Sequence, residues 1–440
     1  MHPTSNYEHG KTALVLAGGG LTGAVYEIGA LRAIDDLLTD RTVNDFDIYV
    51  GTSAGALVGS LLANGATPEL MLQTLSGDHP DIRALDRNDL FYFNPTDLFR
   101  LGLKLPRTLL DAWAHYLRDL KDMNLFDWLW SLSEALPAGL YDSHALERYM
   151  RYAIVTNGGS LRFADLKKEL YIIATDLDNG ERAVFSRDSH QDVPISLAVA
   201  ASTAVPLLYK PVRIADHDYI DGSTRGNASL DLAIEHGATL VICINPLVPF
   251  DNGDRASIPF LGPGGGLLSD KGLTAIASQV TRIQTHSGLL YHIKQLRKTH
   301  PEVDIVLVEP SPSDYQMSFY NIMRYSTRLI VARHGFETVT LKLAENYRYY
   351  ADLLSRHGIS LNPRLVDEEL AEIKQSNHDP KVIRRILEAR PATRAAESKP
   401  QPIKQLNQTL AKLDSILNDL SNSGGNGQQR SVDEEAASKN

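Results

Sequence analysis

Two strand-like apolar runs near the N-terminus each lead directly into a glycine-rich turn and then into a helical stretch. The first run is TALVLA at 12–17, followed by GGGLTG at 18–23. The second is DIYV at 47–50, followed by GTSAG at 51–55. Strands joined through helices are usually parallel, because a parallel pair needs a long crossover connection. The repeated order therefore predicts an α/β fold built on a mostly parallel sheet.

Three later runs have the length and the branched or aromatic side chains of strands. They are YIIATDL at 171–177, TLVICIN at 239–245 and VDIVLVEP at 303–310. The last of them follows a long helical stretch at 271–299. Strands that alternate with helical stretches indicate crossover units. We therefore expect the run at 303–310 to join the same sheet.

The block at about 78–137 has a different texture. Leucines recur there at helical spacing, and all three tryptophans of the chain fall inside it: Trp113, Trp128 and Trp130. One interpretation is a helical insertion with a small core of its own. The other is a cap or a membrane-interface surface, because Trp favours the border between apolar and wet environments.

The C-terminal tail carries Ile and Leu at alternating spacings of three and four residues over 403–420. This pattern makes the segment a candidate for self-association, although it is shorter than the heptad runs that define a coiled coil. Residues 421–440 lack apolar periodicity, so we expect them to be disordered.

Charge and cysteine content exclude several classes of protein. With 54 acidic and 44 basic side chains the formal net charge is -10, which argues against a protein that coats nucleic acid. The single cysteine, Cys243, excludes a disulfide within the chain and zinc sites built on cysteine pairs. We expect Cys243 to be a buried apolar residue, and we expect no metal and no cofactor.

Two segments bear on membranes and location. The N-terminus lacks the basic, apolar and small-residue regions of a signal peptide, so we expect a cytoplasmic protein, with peripheral membrane contact through 78–137. Residues Ile48 to Pro68 contain no charge and are long enough to span a bilayer. Because they also carry several glycines and begin like a strand, a buried strand, turn and helix explain them at least as well.

In the first turn, Gly18, Gly20 and Gly23 match the pattern G-x-G-x-x-G. Such a turn exposes backbone N–H groups at a helix start and favours an anion there. A dinucleotide site also needs an acidic residue at the end of the second strand. Asp45 and Asp47 precede that strand instead, which argues against a nicotinamide or flavin enzyme.

The second turn fits G-x-S-x-G in the context which that motif requires, between a strand and a helix. Small residues on both sides, Gly51 and Gly55 among them, allow Ser53 to sit on a tight bend with its hydroxyl exposed. We interpret Ser53 as a nucleophile, and the alternative is a serine that caps the helix.

A serine nucleophile needs a base that accepts its proton. The chain has 14 histidines, and none stands in a late strand-to-loop context that would mark it as the partner. Asp221 follows a short strand-like stretch and precedes Gly222, so its carboxylate could emerge beside a turn at a sheet edge. The alternative is an ordinary Asp-Gly turn.

Taken in order, these segments resemble the patatin-like phospholipase family, which has a glycine-rich oxyanion loop, a GTSAG-type serine turn and a late Asp-Gly motif. Here they are GGGLTG at 18–23, GTSAG at 51–55 and DGS at 221–223. ASTAVP at 201–206 and GLYDSHALERYM at 139–150 resemble two further blocks of the family. The resemblance covers about residues 11–250 and is weaker through 303–340.

The resemblance implies a three-layer α/β/α patatin-like fold and a serine–aspartate dyad without histidine. Ser53 would attack a lipid ester, Asp221 would accept its proton, and an acyl-enzyme would form. The oxyanion hole would be Gly18, Gly19 and Gly20, with N–H groups of the last two as donors. The expected substrate is a phospholipid or lysophospholipid. Gly23, Gly51, Gly55 and Gly222 would support these motifs.

Two residues depart from the family pattern. Thr22 stands where the family commonly has Lys or Arg, and Ser223 stands where it has Gly or Ala. The absence of a basic residue at position 22 would alter affinity for anionic lipid head groups. An acyltransferase with the same dyad, and a catalytically silent lipid-binding or scaffold protein, remain the alternative functions.

The resemblance also sets the expected domain boundaries. We expect a catalytic domain at 11–250, with the helical insertion at about 78–137, and the C-terminal part of the same fold at 251–360. We expect a helical and partly disordered extension at 361–440.

Overall fold

A computed structural model gives the fold, and it describes residues 10–39, 41–93, 138–253, 266–314 and 325–388. All of these residues belong to one compact unit that ends at Glu388. The tryptophan-containing residues 94–137, the whole second unit from Ala389, and with it the predicted self-association segment 403–420, lie outside the described residues.

Strands and helices alternate along most of the described chain. The strands are β1 (Lys11–Leu16), β2 (Ile48–Thr52), β3 (Gly139–Tyr141), β4 (Glu169–Asp176), β5 (Arg182–Phe185), β6 (Leu207–Tyr209), β7 (Val212–Ile214), β8 (His217–Asp221), β9 (Ala238–Ile244) and β10 (Asp304–Val308). The helices are α1 (Gly20–Leu37), α2 (Ala54–Ala63), α3 (Pro68–Ser76), α4 (Arg87–Leu90), α5 (His144–Thr156), α6 (Ile195–Ser202), α7 (Leu230–Glu235), α8 (Leu273–Thr299), α9 (Tyr325–Glu345), α10 (Tyr347–Ser355), α11 (Arg364–Gln375) and α12 (Pro380–Glu388).

The central sheet runs in the order β10-β9-β1-β2-β4, and every neighbouring pair in this series is parallel. β5 and β8 pair with β4 in antiparallel fashion, and β7 continues from β8. β3 and β6 form a separate two-stranded sheet. The predicted mostly parallel sheet is confirmed, and β10 shows that the run at 303–310 joins it.

Side chains alternate between the two faces of the sheet, as the period of a strand requires. In β1, Leu14 and Leu16 enter a core shared with α1, α2, α5, α6 and α9, whereas Ala13 and Val15 enter a second core under α7 and α8. Cys243 is buried in the second core, as predicted. The predicted three-layer α/β/α architecture is therefore confirmed.

The C-terminal helices pack onto α1. Gly29 of α1 lies against the backbone carbonyl of Ala332 in α9, so the two helix backbones approach closely. The buried guanidinium of Arg32 donates to the carbonyls of Ile386 (3.1 Å) and Leu387 (3.3 Å) in α12. The compact unit thus includes α11 and α12, which the sequence analysis grouped with the C-terminal extension. The predicted domain boundaries as a whole stay a prediction.

The uncharged run from Ile48 to Pro68 forms β2, a sharp turn and α2, and it ends at the first residue of α3. The interpretation as strand, turn and helix is confirmed. Within the described part of the chain, no helix is both long enough and apolar enough to cross a membrane.

Candidate active site

Ser53 occupies the single residue between β2 and α2. Its backbone has φ 53° and ψ −117°, in a region that residues with a side chain rarely adopt and that costs about 1–3 kcal/mol. The turn is tight because α2 starts at once, and Gly55 in its first turn lies against the backbone carbonyl of Leu16 in β1, where a Cβ would overlap. The bend required by G-x-S-x-G is therefore present, with the N-terminus of α2 behind it.

Ser53 and Asp221 come together because two strands end against each other along one edge of β4. β2 runs parallel to β4 and ends opposite Ile173, whereas β8 runs antiparallel and ends with Asp221 opposite Ala174. β5 pairs with residues 172–175 of β4, which overlap both segments, so it occupies the other edge. The turns after β2 and β8 consequently start at the same point of the sheet.

The side chains of the two residues meet in a buried hydrogen bond. Ser53 Oγ donates to Asp221 Oδ2 at 2.5 Å, and both residues are 4% exposed. The second carboxylate oxygen, Oδ1, accepts the backbone N–H of Ser223 at 2.8 Å. Among the described residues, no histidine hydrogen-bonds to Ser53. Serine and carboxylate are thus arranged for direct proton transfer.

The electrostatics of the pair follow from its burial. Burial raises the pKa of the Asp221 carboxyl above its usual range, and hydrogen bonds from Ser53 and Ser223 oppose the rise only in part. A higher pKa makes the ionised carboxylate a stronger base. Ser223, where the sequence departs from the family pattern, stabilises the carboxylate through its backbone N–H.

The first glycine-rich turn lies beside the Asp221 turn. The N–H of Gly18 donates to the backbone carbonyl of Asn227 at 3.1 Å, and Gly18 Cα lies against Ser223 Oγ. The N–H groups of Gly19 and Gly20, at the start of α1, donate no hydrogen bond within the described residues. The N–H groups of Gly19 and Gly20 are therefore available to bind an oxyanion. The N–H of Gly18 instead holds the loop against the residue that follows the Asp221 turn, Asn227.

The other glycines of the three motifs lie at close contacts around this centre. Gly23 packs against Pro246, which follows β9. Gly51 lies in β2 beneath the first turn of α2, and Gly222 lies against the backbone carbonyl of Ile173. Gly51 and Gly222 allow two backbone segments near the dyad to approach, and Gly23 leaves room for the ring of Pro246.

Ser202, the last residue of α6, also belongs to the site and was not predicted from the sequence. Its hydroxyl accepts the backbone N–H of Ser53 at 2.8 Å and donates to the carbonyl of Ile173 at 2.5 Å. Two residues further on, the carbonyl of Ala204 accepts the N–H of Asp221 at 2.9 Å. The only signal in the sequence was the block ASTAVP at 201–206, to which the residues alone assigned no role.

A cavity of about 910 Å³ lies beside the turn that follows Asp221 and is lined by residues 222–229, Arg182 of β5 and α8. It does not include Ser53. Burial would raise the pKa of Asp231 in its wall, but His292 and Arg182 lower that pKa to about 2. Within the described residues, no group of His, Cys, Asp or Glu side chains could hold a metal ion.

The sequence matches the family model of the patatin-like phospholipases over residues 14–234, half of the chain. The chain belongs to the patatin-like phospholipase family. The matched residues contain both glycine-rich turns, Ser53 and Asp221, so every element of the candidate site lies in the patatin-like region.

Two proteins are similar in sequence to about half of the chain. The probable lipid hydrolase 463L of Invertebrate iridescent virus 6 is 24% identical over 230 residues, which are 51% of this chain and 63% of the viral protein. The uncharacterized protein YqhO of Bacillus subtilis (strain 168) is 25% identical over 210 residues, which are 46% of this chain and 57% of YqhO. The chain thus matches less than two thirds of the length of each of these relatives.

Two solved structures are similar to the patatin-like chain. VipD from Legionella pneumophila has 13% identity and a TM-score of 0.34, with 76% of this chain and 67% of VipD covered. The type III effector ExoU has 14% identity and a TM-score of 0.32, with 92% of this chain and 66% of ExoU covered.

Proposed function

We propose that the chain is a lipid acyl hydrolase that cleaves carboxylic ester bonds of phospholipids or lysophospholipids with Ser53 and Asp221. The observation that carries the proposal is the 2.5 Å hydrogen bond from Ser53 Oγ to a buried carboxylate that has no cation partner among its described hydrogen bonds. Membership of the patatin-like phospholipase family and the viral relative named as a probable lipid hydrolase support a lipid ester as the substrate.

In the first half of the reaction, Ser53 Oγ attacks the ester carbonyl carbon while Asp221 accepts the serine proton. The carbonyl oxygen becomes an oxyanion, and the free N–H groups of Gly19 and Gly20 are the donors that would stabilise it. A single donor of this kind is worth about 2.7–4 kcal/mol in a hydrolase. The bond to the leaving alcohol then breaks, Asp221 returns the proton to the alkoxide, and an acyl ester remains on Ser53.

In the second half, water attacks the acyl ester. Asp221 accepts a proton from the water, the same donors hold the oxyanion, and the fatty acid leaves as the proton returns to Ser53 Oγ. The carboxylate must be ionised at the start of each half. The raised pKa of Asp221 helps here, because an ordinary carboxylate with a pKa of about 3.9 is a weak base at neutral pH.

The first experiment is a panel of phospholipids and lysophospholipids whose products are analysed by mass spectrometry. The wild-type protein should release fatty acid, and Ser53→Ala should release none above background. Ser60→Ala is the matched control, since Ser60 is a fully buried serine of α2 whose hydroxyl donates to the carbonyl of Leu57, away from the dyad.

The panel also separates the alternative functions. Added glycerol would collect the acyl chain in place of water if the protein were an acyltransferase. Equal fatty-acid release by the wild-type protein and Ser53→Ala would refute the proposal. Membrane contact through 78–137 and self-association through 403–420 stay predictions, as does a cytoplasmic location.

A further inference from the structure

β2 and β8 end next to each other along one edge of β4, opposite Ile173 and Ala174, and we call this place the join. A group at the join is needed to fix the distance between the two strand ends. The carbonyl of Ile173 points towards this join, since Gly222 lies directly against it. Its hydrogen bond there comes from Ser202 Oγ, at 2.5 Å. We infer that Ser202 is a positioning residue that sets the geometry of the nucleophile relative to its base, an inference that rests on the proposed function.

The hydroxyl of Ser202 is fully committed in this arrangement. A serine hydroxyl has one proton to donate and lone pairs to accept with. The proton goes to the carbonyl of Ile173, and a lone pair accepts the N–H of Ser53 at 2.8 Å. Ser202 is 0% exposed, so water cannot replace either bond. The hydroxyl therefore links the backbone of Ser53 to β4, the strand against which β2 and β8 both end.

The backbone of Ser53 needs such a tie. With φ at 53° it occupies a conformation that persists only where the surroundings hold it. The base is held from the same end of α6, because the carbonyl of Ala204 accepts the N–H of Asp221 at 2.9 Å. One helix terminus thus holds the backbones of both dyad residues.

Ser202 acts through the backbone and is not a proton carrier. Its described hydrogen bonds go to the N–H of Ser53 and to Ile173, and to neither Ser53 Oγ nor the Asp221 carboxylate. Its loss should therefore slow the acylation step and weaken the hydrogen bond from Ser53 that lowers the pKa of Asp221, so the acid limb of the pH profile should move to higher pH. It should also leave KM nearly unchanged, because the buried hydroxyl lies behind the turn.

The test compares Ser202→Ala with Ser196→Ala. Ser196 is also in α6 and 0% exposed, and its hydroxyl donates to Glu147 at 2.8 Å, away from the dyad. Steady-state hydrolysis of a nitrophenyl ester gives kcat and KM across a pH series, and the rate of Ser53 labelling by a fluorophosphonate gives the acylation rate. We expect Ser202→Ala to lose about 10–100-fold in kcat and labelling rate, as for a nucleophile displaced by a fraction of an ångström to one ångström. KM should stay as in the wild-type protein, and the acid limb of the profile should move to higher pH.

The outcomes separate three cases. A wild-type protein that neither hydrolyses esters nor reacts with the fluorophosphonate would refute the proposed function itself. An active wild-type protein with a Ser202→Ala variant of equal rate, or with equal losses in Ser202→Ala and Ser196→Ala, would refute only the positioning role. If Ser202→Ala does not fold, Ser202→Cys replaces it, because a thiol has nearly the same size but is a weak donor. A folded Ser202→Cys with the wild-type rate would likewise overturn the inference, and a loss of rate would support it.

Discussion

The compact unit buries two polar clusters that differ in how their charge is compensated. At the candidate active site, Asp221 is 4% exposed and its carboxylate accepts hydrogen bonds from neutral groups of Ser53 and Ser223. In the second cluster, Arg32 of α1 is 0% exposed and faces carboxylates from three helices. These are Asp36 of α1, Glu69 of α3 (3.6 Å) and Glu369 of α11 (3.8 Å).

The two clusters use burial for opposite purposes. With no cation among its described hydrogen-bond partners, the Asp221 carboxylate becomes more basic through burial and lies next to Ser53 on its strained turn. In the Arg32 cluster, the guanidinium neutralises part of the negative charge and joins α1 to the carbonyls that end α12. A shifted carboxyl pKa therefore indicates a catalytic role only when the neighbouring groups also fit that role, because structural ion clusters shift pKa values as well. We expect the first cluster to govern activity and the second to govern stability.

The largest expected effect is the loss of activity in Asp221→Asn. The amide cannot accept the serine proton, so we expect kcat/KM to fall by about 10³–10⁴-fold. The melting temperature should be unchanged or higher, because the substitution removes a carboxylate whose ionised form is disfavoured by burial. Nitrophenyl ester kinetics and thermal melts measure the two effects.

Asp218→Asn is the matched control for that variant. Asp218 lies in the same strand and pairs with Arg213 at the surface, so its substitution should leave kcat/KM within about twofold and the fold intact. An Asp221→Asn variant that keeps its activity, or one that unfolds, would break the contrast between the clusters.

The second effect is the loss of stability in Arg32→Met. Removal of the guanidinium leaves buried carboxylates without their cation and the carbonyls of α12 without their donor. We expect the free energy of unfolding to fall by about 3–5 kcal/mol. Activity per folded molecule should change little, because Arg32 does not contact the dyad. Urea unfolding and active-site titration test both parts.

Arg364→Met provides the comparison at the surface. Arg364 forms an exposed pair with Glu368 one helical turn away, at 2.9 Å. Exposed pairs of this kind contribute little to stability, so this variant should be close to wild type. If Arg32→Met were no more destabilised than Arg364→Met, the Arg32 cluster would not be a stabilising contact.

The third prediction is a pH dependence of stability that comes from Glu369, a carboxyl whose charge Arg32 compensates only in part. Burial raises the pKa of Glu369 from 4.5 to about 7; Arg32 opposes the rise, and Glu372 and Glu69 add to it. The folded protein therefore binds a proton that the unfolded chain releases between these two pH values. The resulting stability is complete below about pH 4.5 and is lost as the pH rises through about 7. Urea unfolding at a series of pH values should show this fall.

Glu369→Gln is the reference for that pH series. The neutral amide cannot ionise, so the difference in free energy of unfolding between wild type and variant should change across the window and be constant on either side. A constant difference at all pH values would show that Glu369 ionises normally in the folded protein.

The smallest predicted effect is a shift to higher pH of the acid limb in the pH profile of kcat/KM. Because Asp221 must be ionised and burial raises its pKa, kcat/KM should fall with decreasing pH at an apparent pKa above 3.8. The Glu369→Gln variant should show the same acid limb, since Glu369 belongs to the other cluster. A limb that moved in Glu369→Gln would mean that the two clusters are coupled.

The sequence was most informative where a few neighbouring residues dictate a local shape. When a strand leads into GTSAG and a helix follows at once, Ser53 can adopt only a few backbone conformations. The positive φ of Ser53 agrees with that expectation. Apolar runs of strand length that alternate with helical stretches likewise predicted the strands and the mostly parallel sheet. For Asp221, the residues alone left an ordinary Asp-Gly turn as an alternative. Only the resemblance to a family identified Asp221 as the candidate base.

Long-range pairing decided the remainder. Nothing near Ser202 in the chain indicates that its hydroxyl meets Ser53, 149 residues away, or that Arg32 reaches a carbonyl 355 residues away. Likewise, the bond from Gly18 N–H to Asn227, which leaves Gly19 and Gly20 as the available donors, depends on two loops brought side by side.

The sequence by itself thus determined the α/β class, the two glycine-rich turns and the candidate nucleophile Ser53, because steric rules for strands, glycines and helix starts act over a few residues. The tertiary structure decided that β2 and β8 end face to face on β4, and with that the 2.5 Å contact between Ser53 and Asp221. The physical reason is register. Which residue of β4 stands opposite each strand end is set by the packing of the whole sheet, and a shift by one residue would turn the side chains to the other face.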